Sequence, residues 1–341
     1  MAAGRSRLFV LVAAGVFPMT ELIKRRDVLK AGVTGALALA LKQKTFAAEP
    51  PQRFRIGIAA TEWLARDHSV AGYWKAAEAI SALGVGATEA DNGDAQLDSA
   101  YAAKPLAFRQ LSQRAGVRLL GVYQAMLLHD RAGLPEMLAK IRSDGRFLKA
   151  IDAEYIALGW DPPSAVNGKA YERTPQDLHQ AIRAANEIGR VSLEENGIVI
   201  AFHGERDIPK EMILALLEGT DPKYVRFCAD VGHLTAAGLD AVEVVKTYSS
   251  RLAVSHWKDF DPRLPGPSYL GNGAKGDFVE VGEGIVDFPG LAKLYRQIGF
   301  AGWVMLELDQ TRMPSILAST QQMKAYVTDK LRLRFYPPQH A

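Results

Sequence analysis

Histidine and acidic side chains end four apolar segments in the second half of the chain. The segments are Gly197–Phe202, Val225–Ala229, Leu252–Ser255 and Gly302–Leu306, and the residues that follow them are His203, Asp230, His256 and Glu307. Imidazole nitrogens and carboxylate oxygens together suit Mn²⁺, Co²⁺, Fe²⁺, Zn²⁺ or Mg²⁺. A single polar residue in such a place is more often a helix cap or a turn former, but the first three recur at intervals of 27 and 26 residues. This recurrence indicates a site for a divalent metal ion, and the absence of cysteine ligands argues against a structural zinc site.

Alternating strands and helices are needed to bring these residues together. Apolar runs typical of buried strands alternate with segments of helical periodicity, from Phe54–Ala60 to a last helix at Ser315–Leu331. Eight such units predict an α/β fold, a (β/α)₈ TIM barrel formed by residues 53–335 as a single domain after an N-terminal signal segment. The alternative, a doubly wound open sheet, usually has a glycine-rich phosphate turn after its first strand, and Ile58–Glu62 has none.

Further polar residues follow the predicted strand ends, on the face where such barrels keep their chemistry. His233 comes three residues after Asp230, and Lys258 comes two residues after His256. We expect both side chains at the substrate. The alternatives are a helix cap or turn residue for His233 and a solvated loop cation for Lys258. Glu89 and Trp63 follow the second and first strands, where a carboxylate could face the cavity and an indole could pack on a sugar ring. The Gly- and Pro-rich segment Asp261–Gly284 is either a lid over this face or a tolerated insertion.

Composition and charge exclude some classes of protein. The chain has 341 residues, of which 48% are hydrophobic and 23% are charged, as in an ordinary globular protein. A formal net charge of +3 without a basic run in the mature part gives no nucleic-acid-binding surface. The single cysteine, Cys228, lies in an apolar run and excludes an intramolecular disulfide, so we interpret it as a buried core residue.

The first 48 residues have the layout of a twin-arginine signal peptide. The basic segment Lys24–Lys30, which contains Arg25 and Arg26, precedes the apolar stretch Ala31–Leu41 and a small-residue cleavage site around Ala47. The stretch is too short for a comfortable membrane span. We therefore expect export by the twin-arginine machinery, cleavage without a lasting membrane anchor, and a periplasmic protein. Residues 1–18 could be an upstream extension, because Met19 is also a plausible start.

A series of motifs in the second half of the chain resembles a known family. The motifs are Phe227–Leu234 (FCADVGHL), His256–Asp259 (HWKD), Gly282–Gly284 (GEG), Val286–Phe288 (VDF), Gly299–Val304 (GFAGWV) and Glu307. As a set in this order they resemble the xylose-isomerase-like TIM barrels of the sugar phosphate isomerase/epimerase superfamily, also described as AP endonuclease family 2. Within it, the sequence is most similar to inosose dehydratases. The resemblance covers Tyr155 to the last helix by motif, and the first three strands only by pattern.

The resemblance implies one divalent metal ion, often Mn²⁺ or Co²⁺, at the ends of strands five to eight. Asp230, His256 and Glu307 match the last three ligands of the family. Many relatives have Glu as the first ligand, whereas this chain has His203 there and Glu205 two residues later, so either one could complete the site. The resemblance also implies that His233 and Lys258 lie at the substrate.

These residues suit proton abstraction next to a carbonyl in a keto-sugar or keto-cyclitol, through an enediolate. Glu307 would act as base as well as ligand, and Lys258 or His233 would protonate the leaving oxygen. Isomerisation, epimerisation and dehydration or another elimination all proceed from that intermediate, and the sequence does not choose among them. The alternative from another class is a non-catalytic periplasmic sugar-binding barrel. Apurinic endonucleases of the same group need three zinc ions and more ligands than the sequence offers, and a homo-oligomer is left open.

Overall fold

Eight parallel strands are hydrogen-bonded side by side into a closed barrel in the computed structural model of the protein. The structure describes residues 50–91, 96–161, 171–267, 270 and 274–339, and the predicted signal segment lies outside these residues. The barrel strands are β1 (Arg55–Ala59), β2 (Ala87–Asp91), β3 (Arg118–Met126), β4 (Tyr155–Trp160), β5 (Val199–His203), β6 (Val225–Asp230), β7 (Leu252–Trp257) and β10 (Trp303–Leu306). The predicted (β/α)₈ barrel is therefore confirmed.

Helices connect successive strands and cover the outside of the barrel. They are α1 (Thr61–Leu64), α2 (Val70–Ala82), α3 (Leu97–Tyr101), α4 (Pro105–Ala115), α5 (Leu134–Ala150), α6 (Pro175–Val191), α7 (Lys210–Gly219), α8 (Val231–Ala236), α9 (Ala241–Thr247), α10 (Phe288–Gln297) and α11 (Ile316–Ala325). A π-helical turn extends α6 over Ser192–Asn196, another extends α11 over Tyr326–Lys330, and a 3₁₀ turn spans Ser249–Arg251. Among the described helices, none combines the length and the apolar character that a bilayer span needs.

Local sequence explains where α6, one of the two longest described helices, begins. Thr174 caps α6 by accepting a hydrogen bond from the Asp177 amide, and the Asp177 carboxylate accepts one from the Thr174 amide in return. Pro175 follows at the first helical position, where its missing N–H is not needed. The inner face of α6 then buries Ala181, Ala185 and Ile188 against the barrel.

Two separate hydrophobic clusters fill the molecule. The larger one lies between the strands and the surrounding helices. The smaller one fills the barrel interior and consists of Ala59, Ala87, Leu120, Tyr155, Ala157, Ala201, Cys228, Val254, Trp303 and Met305. Because alternate residues of a strand point to the same side, the residues two positions after these can also face the interior, at the carboxyl end of the barrel.

The long segment after β7 forms a structure of its own. β8 (Asp259–Pro265) and β9 (Lys275–Val279) pair in an antiparallel two-stranded sheet, in the segment for which the sequence predicted either a lid or a tolerated insertion. The Asp259 carboxylate holds the two ends of this sheet together, because it accepts hydrogen bonds from the amides of Gly282, Gly284 and Val286 at 2.8–3.0 Å. We refer to β8 and β9 as the hairpin.

Candidate functional site

Four barrel strands end in side chains that meet above the apolar interior. His203, Asp230, His256 and Glu307 each stand two positions after an interior residue, which is Ala201, Cys228, Val254 and Met305 in turn. Asp230 pairs directly with His256, whereas His203 pairs with Cys228 and His256 with Met305, each two residues before the next of the four side chains. This stagger belongs to the tilt of barrel strands, and the two-residue period keeps the four polar side chains on the interior side.

Each of the four residues offers one ligand atom, and these atoms lie within 4.8 Å of one another. His203 Nε2 is 3.2 Å from Asp230 Oδ2, which is 3.9 Å from His256 Nδ1. His256 Nδ1 is in turn 2.8 Å from Glu307 Oε2. All four residues are buried, with at most 8% of their surface exposed. We call these residues the four-ligand cluster.

The chemistry of the cluster fits a divalent cation. His256 Nδ1 and Glu307 Oε2 are buried and make no hydrogen bond, although they lie 2.8 Å apart. Buried polar atoms normally have a bonding partner. A cation that accepts the lone pairs of His256 Nδ1 and Glu307 Oε2 would supply that partner for both atoms. Metal–ligand bonds of about 2.0–2.2 Å put two donors to one ion at most about 4.4 Å apart. The observed separations need only small side-chain movements to meet that limit.

Two further carboxylates hold the outer nitrogens of the histidines. Glu89 Oε2 lies 3.1 Å from His256 Nε2, on the side of the ring away from the cluster. Glu205 Oε1 accepts a hydrogen bond from the Tyr123 hydroxyl at 2.8 Å and lies 2.8 Å from His203 Nδ1, which makes no hydrogen bond in this arrangement. A carboxylate behind a ligating histidine fixes the proton and the ring orientation. This arrangement favours His203 over Glu205 as the first ligand, and it favours an orienting role for Glu89 over contact with substrate.

Asp230 combines a helix cap with a place in the cluster. Its Oδ1 accepts a hydrogen bond from the His233 amide at 2.8 Å and so caps α8, while Oδ2 faces His203. The cap fixes the carboxylate from one side. The two alternatives that the sequence offered for Asp230 are therefore compatible in one side chain.

The backbone fixes the tautomer of His233. The Arg206 amide donates a hydrogen bond to Nδ1 at 2.8 Å. Glu205 Oε2 lies 3.1 Å from the same nitrogen, but a proton on Nδ1 would collide with the amide hydrogen, so we assign the ring proton to Nε2. Burial lowers the pKa of His233, which favours the neutral ring. A neutral ring with its proton on Nε2 is a donor toward the cavity, where it needs an oxygen acceptor, because an ammonium at Lys258 Nζ, 3.4 Å away, has no lone pair.

Lys258 is almost fully buried beside the cluster, with 1% of its surface exposed. Its Nζ lies 3.1 Å from Glu307 Oε1, 3.5 Å from Asp230 Oδ2 and 2.8 Å from Asp309 Oδ1. Burial opposes the charge, but the carboxylates of Asp230, Asp309 and Glu307 outweigh it and hold the pKa of Lys258 well above its usual range. Lys258 is therefore a cation and a proton donor in this site, not a solvated loop residue.

Close packing brings Lys258 over the start of α8. A Cβ atom at Gly232 would lie 2.4 Å from Lys258 Cγ and 2.7 Å from the Lys258 carbonyl oxygen. Only glycine leaves room for that approach. Gly232 in the Asp-Val-Gly-His sequence thus has a packing role for the lysine that comes 26 residues later.

A cavity of about 210 Å³ opens from the cluster. Its described walls are Thr61, Asp91, Tyr123, His203, Glu205, His233, Lys258, Glu307 and Asp309. The hairpin packs on two of these wall residues, since the Phe278 ring lies 4.6 Å from the His233 ring and 5.0 Å from Lys258 Nζ. Arg206 fastens the hairpin by donating a hydrogen bond to the Gly276 carbonyl at 2.7 Å. The hairpin therefore packs against two residues of the cavity wall, His233 and Lys258, and supports them from behind.

The structure brings together most of the residues that the sequence singled out. His203, Asp230, His256, Glu307, Glu205, His233 and Lys258 are all at the cluster or in the cavity wall. Glu89 lies behind His256, as described above. Trp63 packs, partly buried, against the outer hydrophobic cluster, so its placement does not favour the predicted stacking on a sugar.

Sequence reasoning missed Tyr123, Asp91 and Asp309 in the cavity wall. Asp91 ends β2, and Asp309 follows Glu307 by two residues, so the rule that polar residues at strand ends face the site could have found both. Tyr123 lies inside β3 and reaches the site because Gly159 on the neighbouring strand leaves space for its ring. No local signal marks such a residue.

Cys228 offers a second ligand set, because its Sγ lies close to the ring nitrogens of His203 and His256. A thiol must lose its proton to bind a metal ion. Burial raises the pKa of the Cys228 thiol, which disfavours that step. The carboxylates of Asp230 and Glu307 are the better donors, and Cys228 remains a core residue as the sequence predicted.

The fold and the sequence place the chain among the xylose isomerase-like TIM barrels. The profile of the xylose isomerase-like TIM barrel family matches residues 50–328, and the chain belongs to this family. Among its relatives is inosose dehydratase of Geobacillus kaustophilus, 28% identical over 284 residues, which are 75% of this chain and 88% of the relative. Sugar-modifying enzymes thus recur among the proteins similar to this chain.

Solved structures share the fold. D-allulose 3-epimerase from Methylomonas sp. superimposes with a TM-score of 0.63 at 17% identity, covering 83% of this chain and 99% of the epimerase. A xylose isomerase-like TIM barrel protein from Mycobacterium smegmatis, in complex with magnesium, superimposes with a TM-score of 0.63 at 15% identity. The superposition covers 80% of this chain and 95% of the Mycobacterium smegmatis protein. At these identities the likeness shows the architecture alone.

Proposed function

We propose that the protein is a metal-dependent enzyme that removes a proton next to the carbonyl of a keto-sugar or keto-cyclitol. The outcome is isomerisation, epimerisation or the loss of a β-substituent, as in a dehydratase or another lyase. The observation that carries the proposal is the four-ligand cluster, which opens into a cavity where Lys258 and His233 offer protons. The names of the relatives, inosose dehydratase and D-allulose 3-epimerase, support both the substrate class and the range of outcomes.

His203, Asp230, His256 and Glu307 would hold the ion through Nε2, Oδ2, Nδ1 and a carboxylate oxygen. Their mixed nitrogen and oxygen donors favour Mn²⁺ or Co²⁺, and are compatible with Zn²⁺, Fe²⁺ or Mg²⁺. When bound, the ion supplies Lewis-acid stabilisation of the negative charge that develops on the carbonyl oxygen, worth several kcal/mol. Glu205 and Glu89 keep the two histidines oriented from behind.

Glu307 is the proposed base. Burial opposes its ionisation, but Lys258 and His256 outweigh that effect and hold the pKa of Glu307 well below its usual range. The carboxylate is therefore ionised at neutral pH, as a base must be, but weakly basic. Because Glu307 is a weak base, much of the driving force for proton transfer has to come from the acidity of the substrate C–H bond next to the polarised carbonyl.

Lys258 and His233 are the proposed proton donors to a leaving or a reforming oxygen. The ammonium of Lys258 is held by Asp309 at 2.8 Å, and the Nε2 proton of His233, 3.4 Å from Nζ, can be donated only to an oxygen in the cavity, because an ammonium has no lone pair. A proton relay from the Asp309 side of the cavity to substrate would pass through Nζ. Positioned acid–base groups of this kind contribute typically ~10²–10⁴-fold to a rate.

The charge of the cavity favours an uncharged substrate. Its described walls contain four carboxylates, those of Asp91, Glu205, Glu307 and Asp309, and one ammonium, that of Lys258, which already contacts two of them. A phosphate group would meet like charges there, at a cost that low dielectric increases. The proposed substrates are therefore unphosphorylated, such as an inosose or a 3-keto-glucoside.

The test compares metal-stripped protein with protein reloaded with Mn²⁺ or Co²⁺, each incubated with inososes and 3-keto-glucosides and followed by NMR. The proposal expects product only with metal. A sugar-binding barrel, the alternative from another class, would bind these compounds in calorimetry with or without metal and convert none of them. Conversion that is independent of metal would contradict the proposed role of the cluster.

We also propose that the enzyme acts in the periplasm after export by the twin-arginine route. The support for this is the sequence around Arg25 and Arg26, followed by the apolar stretch Ala31–Leu41. Export of a folded protein suits an enzyme whose ion is loaded before it crosses the membrane.

A further inference from the structure

A second cavity, of about 560 Å³, lies at the amino-terminal ends of β1 and β10, on the face of the barrel opposite the four-ligand cluster. Five arginines line it, and they are Arg53, Arg55, Arg296, Arg332 and Arg334. The rest of its described wall is Gln52, the aromatic residues Phe54, Phe335 and Tyr336, and three prolines. No carboxylate is among these described wall residues.

The two segments that carry the arginines are held together by specific hydrogen bonds. The Gln52 amide donates to the Arg334 carbonyl and accepts from the Arg334 amide, each at 2.9 Å. Two residues later the Tyr336 amide donates to the Ile56 carbonyl at 2.9 Å, and the Tyr336 carbonyl accepts from the Gly86 amide at 2.8 Å. The cavity is thus built on the barrel itself.

The arginines differ in how much of their charge is already matched. Arg55 lies 4.0 Å above the Trp303 ring and 3.5 Å from Glu154. Arg53, Arg332 and Arg334 are exposed, and with the carboxylates of the described ranges they form no ion pair. Cations gathered in one concave surface repel one another and raise the local positive potential. An anion in the cavity would remove that repulsion.

We propose that this cavity is a second binding site, specific for phosphate-bearing anions. A guanidinium presents a planar set of donors that matches phosphate oxygens in pairs, and several unmatched guanidinium groups at one cavity can engage a dianion. The aromatic and proline rim would accept the apolar part of a phosphate ester. The same chemistry is offered by a soluble phosphate compound and by the headgroup of an anionic phospholipid, so the test has an arm for each.

The test uses the metal-loaded full chain at low ionic strength. One arm measures binding of radiolabelled inorganic phosphate by equilibrium dialysis, and the other measures co-flotation with phosphatidylglycerol or phosphatidylcholine vesicles. The variant R53Q/R334Q removes two cavity charges. The control R131Q/R183Q removes two exposed arginines from a different groove, which Asp130, Glu187 and Asp221 also line. Since all four side chains are exposed, both variants should fold, and thermal unfolding checks this.

The proposal expects phosphate, phosphatidylglycerol vesicles or both to bind the wild type, with salt weakening the interaction. R53Q/R334Q should lose at least about ten-fold in affinity, while R131Q/R183Q should bind as the wild type does. Binding of phosphate alone identifies a soluble ligand, and binding of the vesicles alone identifies a headgroup. Failure of both probes to bind, or an equal loss in the two double variants, would overturn the proposal.

Discussion

Replacing Glu89 with Gln tests whether a carboxylate behind His256 tunes the metal site. Glu89 is 2% exposed, and its Oε2 lies 3.1 Å from His256 Nε2, so it is the partner of the nitrogen that does not face the cluster. Gln has nearly the same shape but no charge. It removes the carboxylate that favours the proton on Nε2, while the side chain still fills its place.

The expected loss follows from the kind of hydrogen bond that changes. A hydrogen bond to a charged group is worth about 1.5–3 kcal/mol and a neutral one about 0.5–1.5 kcal/mol. Partners behind a ligating histidine typically contribute about 10–100-fold in metal affinity, which corresponds to about 1.4–2.7 kcal/mol. We therefore expect E89Q to bind Mn²⁺ about 10–100-fold more weakly than the wild type.

Calorimetric titration of chelator-stripped protein with Mn²⁺ measures this change. The matched control is E62Q, because Glu62 is also a buried carboxyl, 4% exposed, near the end of a barrel strand, and accepts a hydrogen bond from the Thr311 amide at 2.7 Å. A glutamine oxygen can keep that bond, so E62Q should bind Mn²⁺ as the wild type does. Equal affinities of E89Q and wild type would refute the assignment of His256 Nδ1 as the ligand atom.

Three further outcomes are expected. K258M should lose about 10²–10⁴-fold in turnover. It should bind Mn²⁺ at least as tightly as the wild type in the same titration, because the wild-type ammonium, 3.1 Å from Glu307, repels the ion. Loss of metal binding in K258M would contradict this. Burial raises the pKa of Asp144 from 3.8 to about 6, so between these pH values the folded state holds a proton that the unfolded state has lost, and the wild type loses stability as pH rises. The unfolding free energy of D144N relative to wild type should therefore increase by about 2 kcal/mol from pH ~4 to ~7 in denaturant titrations, and a pH-independent difference would exclude this. R25K/R26K should leave unprocessed precursor in the cytoplasm on fractionation, and mature periplasmic protein would show that the signal was misread.

The sequence predicts the barrel and the cluster well because both depend on local pattern. An apolar run that ends in a polar residue marks a buried strand and its carboxyl end, and the two-residue period then fixes which side chains face inward. Asp230 and His256 are found in this way. The sequence left His203 and Glu205 as alternatives for the first ligand, and the structure favours His203, because its Nε2 faces Asp230 while Glu205 lies at its Nδ1.

What the sequence could not predict depends on closure of the barrel. Glu89 meets His256 although 167 residues separate them, because β2 lies across the barrel interior from β7. The two strands of the hairpin could not be predicted, because the Gly and Pro content of their segment is typical of loops. The short helix α8 begins directly after β6, so its first residues continue an apolar run and no break marks the change.

Hydrogen exchange at carbon tests the central claim most directly. Metal-loaded protein is incubated with inososes and 3-keto-glucosides in deuterated water, and mass spectrometry follows deuterium next to the carbonyl. We predict exchange with at least one of these compounds, its disappearance after chelation, its return with one equivalent of Mn²⁺ or Co²⁺, and its absence in D230A and H256A, in which the cluster lacks a ligand. No exchange with any of them, in wild-type protein that carries its full metal, would contradict proton abstraction as the function of this site.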